Sequence, residues 1–135
     1  MRVFLDTNVL AAAFATRGLC SDLFEEVLKN HDPVLSIAIL AELKRVLAKK
    51  FGIPDDRIGE ILDLLGSSSY ISVPGREPSY PITDSDDMSH LCAAENAGCA
   101  VFITGDKELQ ALDPIGAMRV LSPRGFWEMF ELSRP

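Results

Sequence analysis

The sequence predicts an α/β protein, a three-layer α/β/α arrangement with a central, mainly parallel sheet of four to five strands. Two observations carry that prediction. Short apolar runs (Val3–Leu5, Val34–Ile37, Tyr70–Val73, Ala100–Thr104, Arg119–Leu121) alternate with longer segments of helical spacing. The longer segments also separate every pair of runs, as right-handed crossover connections between parallel strands require. At 135 residues, 47% hydrophobic and 24% charged, the chain suits one globular domain over residues 1–135.

Arg2-Val3-Phe4-Leu5 reads as a strand ending at Asp6-Thr7-Asn8, with Val9 to Phe14 helical behind it. Ser21 is placed to cap a second helix through Asn30, and Asp32-Pro33 leads into the strand Val34–Ile37. Ile39, Leu40, Leu43, Val46 and Leu47 recur at spacings of three and four, the mark of an amphipathic helix, and Gly52-Ile53-Pro54 stops it. Asp55 or Asp56 opens a further helix carrying Ile58, Ile61, Leu62 and Leu65, which Gly66 and Ser67-Ser68-Ser69 should end. After the strand at Tyr70–Val73, residues 74–81 form a proline-rich surface loop. Asp84-Ser85-Asp86-Asp87 opens a helix that Gly98 terminates; the strand 100–104 and a short helix from Gly105-Asp106 through Leu112 follow. Ser122-Pro123 begins a terminal helix that turns Phe126, Met129 and Phe130 inward.

Cys20, Cys92 and Cys99 are odd in number and widely scattered, which argues against a disulfide framework or zinc knuckle and for a reducing compartment. The longest apolar run, Val9–Ala15, falls far short of the roughly 20 residues of a membrane span, so the expected protein is soluble and cytoplasmic, with no membrane partner. Thirteen Lys and Arg against 20 Asp and Glu give a formal charge of −7. Bulk charge therefore opposes binding to nucleic acid, and any polyanion would have to be held by local cations.

In a parallel α/β sheet the strand C-termini and the N-termini of the helices that follow share one edge, where such sheets bind ligands. Asp6 ends the first strand, Asp106 follows the strand 100–104, and Asp87 begins the helix leading into that strand. Glu42 lies about 9 Å along a helix starting near Ser36, and helical side chains tilt back toward the N-terminus. All four carboxylates should meet at one edge. Each has an ordinary structural reading: the Asp residues as helix caps or dipole partners, Glu42 as a solvated helix residue. Their convergence is what singles them out, because gathered like charges cost several kcal/mol unless a cation neutralises them. Oxygen-only ligands favour Mg²⁺ or Mn²⁺, and such ions suit phosphodiester hydrolysis.

Leu5-Asp6-Thr7-Asn8, Ala38-Ile39-Leu40-Ala41-Glu42-Leu43, Asp84-Ser85-Asp86-Asp87 and Phe102-Ile103-Thr104-Gly105-Asp106-Lys107 resemble, in order, the successive motifs of PIN-domain proteins, with VapC-like toxins of prokaryotic toxin–antitoxin pairs as the nearest subgroup. The resemblance implies a metal-dependent endoribonuclease with Asp6, Glu42, Asp87 and Asp106 as its acidic, catalytic and metal-holding set. It implies Asn8 and Thr104 as supporting polar residues, an RNA substrate, an antitoxin partner and a homodimer. Ser85 stands where the family often has proline. Spacing back from Gly98 selects Asp87 as the metal-facing acid and leaves Asp84 and Asp86 as caps or outer support. His90 replaces a usual large apolar residue, and a partly exposed histidine hydrogen-bonded to a neighbour is expected there.

Arg17 and Lys107 lie nearest the acidic edge by chain position and are the candidate RNA contacts, whereas Lys44, Arg45, Lys49 and Lys50 read as solvated helix-end cations. Trp127 and its aromatic neighbours read as core packing, with self-association as the alternative, and the helix pair 38–50 and 55–65 could receive a partner's apolar helix. Two other classes compete with the nuclease. A noncatalytic metal- or partner-binding domain could use the same acids. A receiver-type domain would need an aspartate ending the Tyr70–Val73 strand and a lysine ending the strand 100–104, and both are missing.

Overall fold

The computed structural model describes residues 1–74, 80–82 and 84–132, with the side chains of Glu131 and Leu132 excluded. Most of the proline-rich loop expected over 74–81 lies outside these residues. The elements run β1 (Arg2–Leu5), α1 (Thr7–Ala15), α2 (Leu19–Asn30), β2 (Asp32–Ser36), α3 (Ile37–Lys49), α4 (Asp55–Ser68), β3 (Tyr70–Ser72), α5 (Ser85–Asn96), β4 (Val101–Ile103), α6 (Lys107–Gln110), β5 (Arg119–Leu121) and α7 (Pro123–Leu132). The five strands form one parallel sheet in the order β3-β2-β1-β4-β5.

β1 sits at the centre, with Val3, Phe4 and Leu5 wholly buried, as expected of a parallel strand covered on both faces. Phe4 pairs in register with Phe102 of β4, and their rings stack at 5.0 Å. The core continues through Leu10, Leu23, Val27, Ile39, Leu43, Leu47, Ile58 and Leu65 of the first four helices, and Phe126 anchors α7. Met129 and Trp127 pack against this core from part-buried positions.

Several boundaries differ from the sequence reading. α2 begins at Leu19 behind Gly18, which makes no side-chain cap, so Ser21 lies inside the helix. β2 ends at Ser36, because the Ser36 hydroxyl accepts from the Ile39 amide at 3.1 Å and turns the chain into α3. Ile37 is consequently 65% exposed on the first turn of α3 instead of closing the strand. α4 runs through Gly66 to Ser68, its last turns held by packing around buried Leu65. The short helix after Asp106 stops at Gln110, not Leu112. Gly52 and Gly98, with φ of +63° and +68°, do close their helices in the left-handed conformation that glycine tolerates.

The chain order fixes where a site can form. It winds outward from β1 through β2 to β3, then crosses back to β4 and β5, so the direction of winding reverses between β1 and β4. At such a reversal the two flanking loops part and leave a crevice beyond the strand C-termini.

Candidate functional site

Asp6 and Thr104 flank that crevice. The Asp6 amide donates to the Ile103 carbonyl at 3.0 Å and the Thr104 amide to the Leu121 carbonyl at 3.0 Å, so both residues are extensions of the sheet ladder. The Asp6 side chain is 8% exposed. Its Oδ1 accepts from the Thr7 amide at 2.8 Å, capping α1, and its Oδ2 accepts from the Thr104 hydroxyl at 2.7 Å. Burial raises the Asp6 pKa, the hydrogen bonds from Thr104 and Thr7 counter the rise, and the Glu42 charge adds to it.

The Asp106 amide donates to the Thr104 hydroxyl at 3.0 Å, and the Asp106 Oδ1 caps α6 by accepting from the Glu108 amide at 2.8 Å. One buried threonine thus ties together two acids that are a hundred residues apart in sequence. Gln110 seals the same turn by donating to the Thr104 carbonyl at 2.8 Å.

The acidic run at the start of α5 divides its labour. Asp84 is the cap: its Oδ1 accepts from the amides of Asp86 at 2.9 Å and Asp87 at 3.1 Å. Asp86 is exposed. The Asp87 carboxylate accepts nothing among the described residues. Its pKa is pushed up to about 6 by burial and by the charges of Asp84, Asp6 and Asp106, against a lowering contribution from His90. Asp6 and Asp106 therefore both lie within electrostatic range of Asp87.

Glu42 joins from α3. Its Oε2 accepts from the Thr7 hydroxyl at 2.6 Å and contacts His90 Nε2 at 3.1 Å. His90 is 1% exposed, contrary to the partly exposed histidine expected from sequence. The packing of α5 over β2 and against α3 encloses it, with its ring 6.4 Å from that of Phe4.

The supporting roles shift accordingly. Asn8 is exposed on the first turn of α1, and its side chain makes no hydrogen bond among the described residues. Its neighbour Thr7 is buried, and its hydroxyl donates to Glu42. Arg17 is exposed in the loop between α1 and α2, and Lys107 is exposed at the first position of α6, beside Asp106.

The donor set suits a hard divalent cation. It consists of carboxylates, and Glu42 Oε1, Asp106 Oδ2 and the whole Asp87 carboxylate accept no hydrogen bond among the described residues. Among the described residues, no three His, Cys, Asp or Glu side chains stand close enough to form a ready metal-holding group.

Comparison with known proteins agrees with this architecture. No curated protein matches the sequence. Among solved structures, VapBC2 of Rickettsia felis, bound to a DNA fragment from its promoter, aligns with a TM-score of 0.66 and 17% identity, over 90% of this chain and 98% of that one. VapBC-1 of nontypeable Haemophilus influenzae aligns at 0.64 and 20% identity, over 92% and 99%. Mycobacterium tuberculosis VapC20, a sarcin–ricin loop cleaving toxin, aligns at 0.63 and 14% identity, over 87% and 98%. At these identities the likeness is one of fold. The PIN domain family model matches residues 2–108 of the sequence, a span that includes Asp6, Glu42, Asp87 and Asp106. The chain belongs to the PIN domain family.

Proposed function

We propose that this protein is a metal-dependent endoribonuclease that hydrolyses RNA phosphodiester bonds and acts as the toxin of a type II toxin–antitoxin pair. The observation that carries the proposal is the state of Asp87, a carboxylate that accepts no hydrogen bond among the described residues and whose pKa is pushed up to about 6 by burial and then by the charges of Asp84, Asp6 and Asp106. Charge gathered at that density is costly to hold, and a cation offsets it.

Asp6, Glu42, Asp87 and Asp106 would hold Mg²⁺ or Mn²⁺. When bound, such an ion neutralises charge on the phosphodiester and acidifies the attacking water. The chain's own residues supply the positioning. Thr7 and Thr104 lock both oxygens of Asp6, Thr104 also fixes the loop carrying Asp106, and Asp84 takes the capping duty that would otherwise engage Asp87. Arg17 and Lys107 are the cations assigned to the RNA backbone, where phosphate contacts orient a substrate without reading its sequence. A cognate antitoxin and a second copy of the chain are the proposed partners. Two of the similar structures are VapBC complexes, which supports the antitoxin. A cytoplasmic location follows from the same reading, and no helix among the described residues is long and apolar enough to cross a membrane.

The test is cleavage of single-stranded and structured RNA with Mn²⁺ or Mg²⁺, with and without EDTA, by wild type and Asp6→Asn. An asparagine keeps an oxygen for the Thr7 amide, so the variant should fold, which circular dichroism checks. Cleavage that stops with EDTA and in the variant is expected. Cleavage that survives both would refute the assignment. The alternative, a noncatalytic metal- or partner-binding domain that uses the same acids, predicts Mn²⁺ binding by calorimetry with no turnover on any RNA.

A further inference from the structure

Three of the four acids are placed by backbone: Asp6 by the end of β1, Asp106 by the turn after β4, and Asp87 by the capped start of α5. Glu42 is different. It lies beyond the first turn of α3, at the end of a side chain with three rotatable bonds, and nothing in its own helix fixes the carboxylate. What fixes it comes from elsewhere: the Thr7 hydroxyl at 2.6 Å and the His90 ring at 3.1 Å converge on the same oxygen, Oε2. Oε1 accepts nothing among the described residues.

The His90 ring has the attributes of an orienting group. It is 1% exposed and rests against Phe4, so it has little rotational freedom. A carboxylate oxygen only accepts, so Nε2 donates in this contact. Nδ1 is buried without a hydrogen-bond partner among the described residues. An orphaned polar atom in a packed interior lowers stability, and an apolar side chain of similar size would avoid that cost. Fold stability therefore gives no account of a histidine here, whereas its bond to Glu42 does.

We infer that His90 is a positioning residue. By donating from Nε2 to Glu42 Oε2, it holds that carboxylate with Oε1 as the oxygen available to a divalent cation at the rim shared with Asp6 and Asp87. The inference rests on the metal-site reading above and assigns a role within it to a residue that touches neither cation nor substrate. Residues that orient metal-binding carboxylates in this way contribute about 10- to 100-fold to metal affinity.

The experiment is Mn²⁺ titration by calorimetry, with free Mn²⁺ counted independently by its electron paramagnetic resonance signal, on wild type, His90→Leu, His90→Gln and His90→Asn. Glutamine carries its amide nitrogen near the Nε2 position and should keep most of the wild-type affinity. Asparagine reaches only the Nδ1 position, and leucine donates nothing; both should weaken binding by about 10- to 100-fold. The melting temperature in EDTA confirms folding, and the Gln and Asn pair decides the matter should His90→Leu not fold. Wild-type affinity in His90→Asn or in folded His90→Leu overturns the inference, as does equal weakening in Gln and Asn. If wild type itself binds no Mn²⁺, the metal-site reading fails and the role of His90 falls with it. That outcome is distinct from one in which wild type binds and the variants match it.

Discussion

Replacing Asp87 by asparagine should stabilise the metal-free protein. The Asp87 pKa rises from its ordinary 3.8 to about 6 in the folded chain. At about 1.4 kcal/mol per pH unit, that rise corresponds to about 3 kcal/mol of opposition to the ionised folded state. Asp87 is only part-buried, so solvent screening reduces the figure to about 1.5 kcal/mol. A first-turn carboxylate also gains about 0.5 kcal/mol from the helix dipole, which asparagine forfeits, and about 1 kcal/mol remains. The direction follows from linkage. Between pH 3.8 and about 6 the folded state binds more protons than the unfolded state, so stability falls as pH rises through this window. The penalty is complete above the window and absent below it. In EDTA at pH 7.5, Asp87→Asn should therefore melt about 3 °C above wild type, and the difference should shrink toward zero near pH 4. Added Mn²⁺ should raise wild type more than the variant, because only wild type keeps all four acids. Calorimetric melting across pH 4 to 8 reads all of this. A variant no more stable than wild type at pH 7.5 in EDTA would refute the claim that crowded negative charge strains the rim.

Two further outcomes are expected. Thr104→Val removes the donor to Asp6 and the acceptor for the Asp106 amide from a fully buried position. It should cost about 2 kcal/mol in urea denaturation at unchanged m-value, and a change below about 0.5 kcal/mol would sink the bridging role given to this hydroxyl. His31 sits edge-on to Phe126 and Phe130 with neither ring nitrogen hydrogen-bonded among the described residues, and burial followed by the N-terminal charge lowers its pKa, against opposing contributions from Glu26 and Asp32. A lowered histidine pKa supplies stability that is present above pH 6.5 and is lost as pH falls below it. His31→Leu should flatten the decline in stability from pH 7 to 5, and an unchanged slope would exclude His31 as its source.

The layered fold was legible because its signals are local. Apolar runs such as Val3–Leu5 and Val101–Ile103 alternate with helical periodicity such as Ile39, Leu43 and Leu47, and every helix in the sheet's crossovers was anticipated. The edge bearing Asp6 and Asp106 followed from the rule that parallel strands end together. Boundaries were less legible where tertiary contacts decide them. Ser36 and Ile37 look equally fit to end a strand, and only the cap on Ile39 settles which does. The PIN-domain resemblance drew attention to Asn8, yet the residue that touches Glu42 is Thr7. His90 lies 48 residues from Glu42 in the chain and Thr7 lies 35 from it; pairings at such separations depend on how α1, α3 and α5 pack, which periodicity does not encode. The acidic run at residues 84–87 was ambiguous for a different reason. Capping and charge crowding call for the same residue type, and only the hydrogen bonds assign the first to Asp84 and leave Asp87 for the second.

The crossover from β3 back to β4 also partitions the acids evenly. Everything up to Pro74 contributes Asp6 and Glu42, and everything from Tyr80 onward contributes Asp87 and Asp106. Two polypeptides divided within that connection would each own half of the proposed ligands and one side of the central β1–β4 seam. Mixing them would make divalent-ion uptake a direct gauge of reassembly, since neither half can gather four carboxylates by itself.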